Sequence, residues 1–150
     1  MILHIVVLFL LPWIIGIIHL YKRDKILLFL FAPINSVVSY TIETFAFYFG
    51  FWEVFPFPNQ KNLATLPFDL GIYPILACYL IFFIRRMKKP YFVLLLMTLF
   101  TTFFEWILVY FGRVRYGNGW NIYFTFFSYL LPYIFVYWYY KYLLKLNVLK

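Results

Sequence analysis

Ser36-Val37-Val38-Ser39-Tyr40-Thr41-Ile42-Glu43, followed by Tyr48-Phe49-Gly50, is matched 62 positions later by Thr98-Leu99-Phe100-Thr101-Thr102-Phe103-Phe104-Glu105, followed by Tyr110-Phe111-Gly112. In each copy a single glutamate stands inside a long apolar run. The chain has only five acidic residues, so the match is not a product of abundance. An ionised carboxylate in hydrocarbon costs roughly 2.5–3.5 kcal/mol on insertion scales. Two of them in matching surroundings mark a functional site by default. Tyr-Phe matches are cheap where 27% of residues are aromatic, but Gly matches are not, because the chain has six glycines.

The polar positions that pair between the copies are Ser36 with Thr98, Ser39 with Thr101 and Tyr40 with Thr102. They precede their glutamate by seven, four and three residues, which puts them on one helical face. Asn35 extends that face in the first copy. The candidate ligand or proton site is therefore Glu43, Glu105, Ser36, Ser39, Tyr40, Thr98, Thr101 and Thr102. A purely structural alternative competes with it. A protonated glutamate bonded to a hydroxyl on a neighbouring helix is ordinary helix–helix glue in membranes.

Composition sets the class. Hydrophobic residues make up 66% of the 150 residues and charged residues 12%, far outside the range of soluble domains. Five segments reach the roughly 20 residues a helix needs to span hydrocarbon. They are 2–20, 27–51, 66–84, 91–111 and 121–140. Pro33, Pro74 and Pro132 interrupt three of them, and a kink is expected at Pro33. The apolar runs are too long, and alternate too little, to be strands. The expected fold is all-α: one domain over residues 1–150, with one helix followed by two parallel two-helix repeats. No basic stretch precedes the first segment and no small-residue cleavage site follows it, so it is expected to be retained.

Charge orients the chain. Lys22, Arg23, Lys25, Arg85, Arg86, Lys88, Lys89, Lys141, Lys145 and Lys150 fall on one side, and Lys61, Arg113 and Arg115 on the other. Ten against three gives a bacterial multi-pass plasma-membrane protein with its N-terminus outside and its C-terminus cytoplasmic. Topology and anionic lipid account for the net charge of +8, and nucleic acid is not a partner. Trp52, Tyr116 and Trp120 are expected in an outer aromatic belt, and Tyr21, Trp138, Tyr139, Tyr140 and Tyr142 in an inner one.

Other chemistries are absent from the pattern. There is no His/Cys cluster with metal spacing, no phosphate-cradling glycine loop and no nucleophile elbow. No metal and no cofactor is expected. The single cysteine, Cys78, reads as a small core residue. Toward the outer loops, Asp69, Arg113 and Arg115 are secondary candidates. Asp69 is expected in the first turn of its helix, complementing the helix dipole. The arginines are expected to pair with an acid or to meet an anionic headgroup.

Ile42-Glu43 with Tyr48-Phe49-Gly50, then Leu66-Pro67-Phe68-Asp69, then Phe104-Glu105 with Gly112, resembles the uncharacterised small five-span integral membrane proteins of low-GC Gram-positive bacteria. The likeness covers nearly the whole chain and implies no activity. Leu66-Pro67-Phe68-Asp69 is more faintly similar to the Pro-x-Glu-Glu stretch of lycopene cyclase subunits, with one acid in place of two. The leading expectation is a non-enzymatic binder of a lipidic or amphiphilic ligand, or of a membrane partner, at a polar seam between the repeats. The alternatives are an intramembrane enzyme using the glutamate pair on an isoprenoid-like lipid, or a small proton- or cation-coupled carrier. A homodimer is the expected form for the carrier.

The orientation has a direct check. Cysteines introduced at Asn59 and Asn118 should react with an impermeant maleimide on intact cells, and a C-terminal fluorescent fusion should be cytoplasmic. Labelling of both sites only after permeabilisation contradicts the orientation.

Overall fold

The computed structural model describes residues 5–55 and 61–149. The expected helix start at Ile2, the Asn59 loop position and Lys150 lie outside the described residues. Among the described residues the fold is all-helical apart from one pair of three-residue strands. The first helix, α1, runs as a π-helical stretch Val6–Leu10, an α-helical stretch Leu11–Gly16 and a second π-helical stretch Ile17–Tyr21. Next come α2 (Lys22–Phe49), β1 (Trp52–Val54), α3, α4 (Pro90–Tyr110), β2 (Val114–Tyr116) and α5 (Ile122–Lys145). The third helix, α3, joins Lys61–Pro67, a π-helical turn Phe68–Ile72 and Tyr73–Met87.

Among the described residues three helical stretches are long and apolar enough to cross a membrane: Val6–Phe49, Asn62–Met87 and Pro90–Tyr110. The first of these breaks at Asp24, two residues into α2, where the backbone is non-helical (φ −158°, ψ 76°), so the run is two rods that meet at a kink. The Asp24 carboxylate bonds to Arg85 near the end of α3, tying the two basic turns together. Helix α5 has 24 residues, enough for a span of roughly 36 Å. Seven tyrosines lower its hydropathy, although their rings are apolar and only the tips are polar. Much of the helical surface is exposed aliphatic and aromatic side chain, including Ile18, Phe29, Val37, Phe45 and Phe103. So much apolar surface is normal against lipid and abnormal against water.

Both glutamate-bearing helices end in the same way. Gly50 and Gly112 take left-handed backbones (φ 67° and 66°) that side chains resist. The next residue then bonds back five positions, Phe51 N–H to Ala46 at 2.9 Å and Arg113 N–H to Leu108 at 2.8 Å. This is a Schellman stop, and it explains the glycine in each Tyr-Phe-Gly triplet. The two exits then pair as antiparallel strands, Trp52 with Tyr116, Glu53 with Arg115 and Val54 with Val114. Flanking bonds run reciprocally, from Phe55 N–H to the Arg113 carbonyl (2.9 Å) and from Gly117 N–H to the Phe51 carbonyl (2.8 Å).

Two apolar cores fill the bundle. One gathers Leu20, Leu27, Phe31, Ile75, Cys78, Leu80 and Val136. The other, at the strand end, gathers Leu8, Ala46, Phe47, Ala64, Phe68 and Val114. On α2 the buried Asn35 and Glu43, and on α4 the buried Thr98, Thr101 and Thr102, fall between the stretches that feed these cores, so a polar layer separates them there. Cys78 is buried with its thiol on the Leu27 carbonyl, the small core role expected of it.

The crossing of α1 over α3 depends on Gly71. A Cβ there would lie 2.1 Å from the Leu8 carbonyl oxygen and 2.6 Å from the Phe9 Cα, both rigid backbone. Beside it the Trp13 indole donates to the Leu70 carbonyl at 2.6 Å. Close approach through small residues is a common way for membrane helices to pack. Gly71→Ala should therefore cost about 1–3 kcal/mol, the range for overpacking. Gly16→Ala meets only the flexible end of Ile75 and should cost much less. Thermal unfolding in detergent checks this, and equal melting temperatures for the two variants contradict it.

Candidate functional site

The polar layer centres on the two glutamates. Glu43 on α2 is 8% exposed. Its Oε2 accepts from the Trp52 indole at 2.7 Å. The Schellman stop makes this possible, because it folds β1 back over the last turns of the helix that carries Glu43. Among the described residues nothing bonds to Glu43 Oε1.

Glu105 on α4 is far better satisfied. Its Oε1 accepts from the Tyr116 hydroxyl at 2.9 Å. The Thr125 hydroxyl lies 3.3 Å from the same oxygen. Its Oε2 accepts from the Tyr129 hydroxyl. The Tyr73 and Tyr129 hydroxyls are 2.9 Å apart, and with the Tyr129 proton on Glu105 the donor between them is Tyr73. The resulting chain, Tyr73 to Tyr129 to Glu105, polarises along its length. Burial, and next the neighbouring Glu105 carboxylate, raise the Tyr116 phenol above its ordinary range. It therefore stays protonated, and a donor, at neutral pH.

Both glutamates line one partly open cavity of about 50 Å³, with Ser39, Trp52, Tyr73, Tyr129 and Tyr133 among its walls. A single water needs about 10–15 Å³ on this measure, so a group of a few heavy atoms fits. Asn35, buried on the same face of α2, also lines it. Among the described residues no lysine, arginine or histidine does.

Asp69 departs from expectation. It belongs neither to an outer loop nor to a first helical turn, because α3 begins at Lys61, eight residues earlier. It sits in the π-helical turn and is fully buried. The Ser39 and Thr65 hydroxyls flank it. Neither reaches a carboxylate oxygen in hydrogen-bonding geometry, and both oxygens are left without a partner. The two hydroxyls instead lean on the Ser36 and Asn62 backbone carbonyls. Asp69 and Glu105 both lie within electrostatic reach of Glu43.

The arginines stay away from these acids. Arg113 is exposed. Arg115 stands over the Phe55 ring, 5.4 Å from its centroid, opposite Glu53 in the strand register. Among the described residues the one ion pair is Arg85 with Asp24.

The expected hydroxyl face is only partly recruited. Ser39 reaches the cavity, whereas Ser36 lines a separate apolar groove and Tyr40 is exposed. Thr98, Thr101 and Thr102 are buried, and each donates at 2.8 Å to the carbonyl four residues back. That carbonyl is always in reach of a helical threonine, so these protons are already used within the helix. The Thr101 oxygen is left to meet the Tyr133 hydroxyl at 2.7 Å.

The partners that matter are aromatic: Trp52, Tyr73, Tyr116, Tyr129 and Tyr133. Trp52 and Tyr116 turn inward rather than serving an outer belt, and Trp52 is buried. One signal for the others is present in the sequence. Thr125, Tyr129 and Tyr133 recur every four residues, a helical stripe of hydroxyls opposite Glu105.

Removing one donor tests this network. Tyr129→Phe keeps the ring but leaves Glu105 and Tyr73 each short of a partner. The expected loss is about 1–3 kcal/mol, the penalty for an unsatisfied buried group. Tyr48→Phe, on an exposed side chain, should be neutral. Equal melting temperatures for the two variants contradict the network. No family model, curated protein or solved structure matches the chain, so the chemistry of this site is what bears on function.

Proposed function

We propose that the protein is a five-span integral membrane protein that binds a lipidic or amphiphilic ligand, without catalysis, at the polar layer between two parallel repeats. The single observation carrying this reading is the cavity that Glu43 and Glu105 share. A layer serving only as glue would close on itself, as Glu105 does with its three hydroxyl neighbours. Glu43, which lines the cavity, instead keeps one oxygen without a bond from the described residues, which suits a site awaiting a partner.

The span count rests on the break at Asp24, which divides a 44-residue run too long for one crossing, and on the length of α5. The repeat reading draws support from the backbone. The Schellman bonds recur at an offset of 62, and the central strand pair, Glu53 with Arg115, has the same offset. A pseudo-two-fold axis through that pair exchanges the reciprocal bonds of Phe55 and Gly117. The basic turns at Lys22–Lys25 and Arg85–Lys89 lie away from the strand pair, which fits a cytoplasmic inner side and a C-terminus inside.

Native mass spectrometry of the protein purified from its own membranes tests the proposal. A stoichiometric amphiphile is expected on the wild type and should be lost in Glu43→Gln, while Glu43→Gln keeps its melting temperature within a few degrees. A wild type that carries no ligand under any mild extraction contradicts binding. A bound lipid that the protein converts chemically selects the enzymatic alternative.

A further inference from the structure

The ligand's chemistry follows from what the cavity offers. Glu43 and Glu105 supply carboxylate oxygens to its wall, and Trp52, Tyr73, Tyr129 and Tyr133 supply aromatic rings. Glu43, a wall residue of this cavity, is more than nine-tenths buried, yet its Oε1 has no bond from the described residues. Asp69 adds a third buried acid within electrostatic reach of Glu43, with both oxygens unpartnered. Among the described residues no cationic side chain lines the cavity to balance them. From this geometry we infer that the cavity takes a primary ammonium group, held by Glu43 and enclosed by the aromatic rings. The inference rests on the binding proposed above and narrows its ligand to a cation.

Other occupants fit less well. An anion would face acids without a balancing base. A hard metal ion wants six or more oxygens at short range. No group of three or more acid, histidine or cysteine side chains among the described residues is arranged to hold one. The rings offer a hydrated metal ion little, whereas an ammonium gains from aromatic faces once desolvated. An ammonium also brings N–H donors to Glu43 Oε1, and charge-assisted bonds of that kind are the strong ones. A cavity of about 50 Å³ suits a primary ammonium with a short stem rather than a bulky quaternary head. The ammonium can come from the head of an amphiphile or from a free small amine, and the chemistry at the wall is the same.

The test uses full-length protein in nanodiscs, with empty nanodiscs subtracted. Binding of radiolabelled n-octylammonium is measured, with unlabelled n-octanol and methylammonium as competitors. The expected result is saturable octylammonium binding that octanol displaces at least tenfold less well than octylammonium itself. Glu43→Gln should weaken binding about tenfold or more. Displacement by methylammonium assigns the site to free amines as well; failure of methylammonium to compete restricts it to amphiphiles. Either result upholds the ammonium inference. If octanol competes as well as octylammonium, the binder reading survives and the cation inference is overturned. If no saturable binding occurs with octylammonium, and none with radiolabelled octanol, both are overturned. The wild-type competition alone decides between these outcomes if Glu43→Gln does not fold.

Discussion

A carboxylate placed within a hydrocarbon-spanning helix must be satisfied by protein, because lipid offers it nothing. On the proposed membrane reading, that constraint organises this molecule. Glu43 and Glu105 sit about two turns before their helix ends, and the donors that reach them come from beyond those ends or from neighbouring helices. The Schellman stops at Gly50 and Gly112 fold the chain back, and the β1–β2 pair holds Trp52 and Tyr116 where their polar tips point inward. The two apolar cores then close on either side of the polar layer. The short strand pair, an oddity in an otherwise helical fold, is the device that brings these donors to buried acids.

The segments around Glu43 and Glu105 agree in backbone and differ in side chains. The residue 62 positions after Trp52 is Val114, and the one 62 positions before Tyr116 is Val54. Each strand therefore contributes one donor and one valine, and the donors serve different glutamates. Glu105 ends up enclosed by three hydroxyls, while Glu43 has one indole and an unbonded oxygen. On the proposed reading this is a division of labour: one acid fastens α4 to α5 and the other meets the ligand. The asymmetry also explains why the site is not two equal half-sites.

Much of this architecture could be read from the chain alone. Two glutamates in repeated apolar surroundings pointed to the polar layer, and long apolar runs with punctuating prolines pointed to helices. The Tyr-Phe-Gly triplets marked helix ends, since a left-handed stop favours glycine. The donors were less legible. Serine and threonine look like ligand groups in sequence, but inside a helix their hydroxyls turn to the preceding carbonyl, as at Thr98 and Thr102. Tyrosine and tryptophan look like interfacial residues, and only the fold shows which of fifteen tyrosines turn inward. The place of Asp69 is not legible in the sequence, because Pro67 looks like a helix start, whereas the helix accommodates it beside a π-helical turn.

The central claim is that Glu43 and Glu105 face one shared cavity within a single chain. Its most direct test is cross-linking of a Glu43→Cys/Glu105→Cys pair with short bifunctional thiol reagents, set against a Val37→Cys/Glu105→Cys pair in which residue 37 faces outward. The account predicts an intramolecular cross-link for the first pair at short spacer length and none for the second. A folded protein in which the first pair fails to cross-link at every spacer length, or cross-links no better than the second, would contradict it.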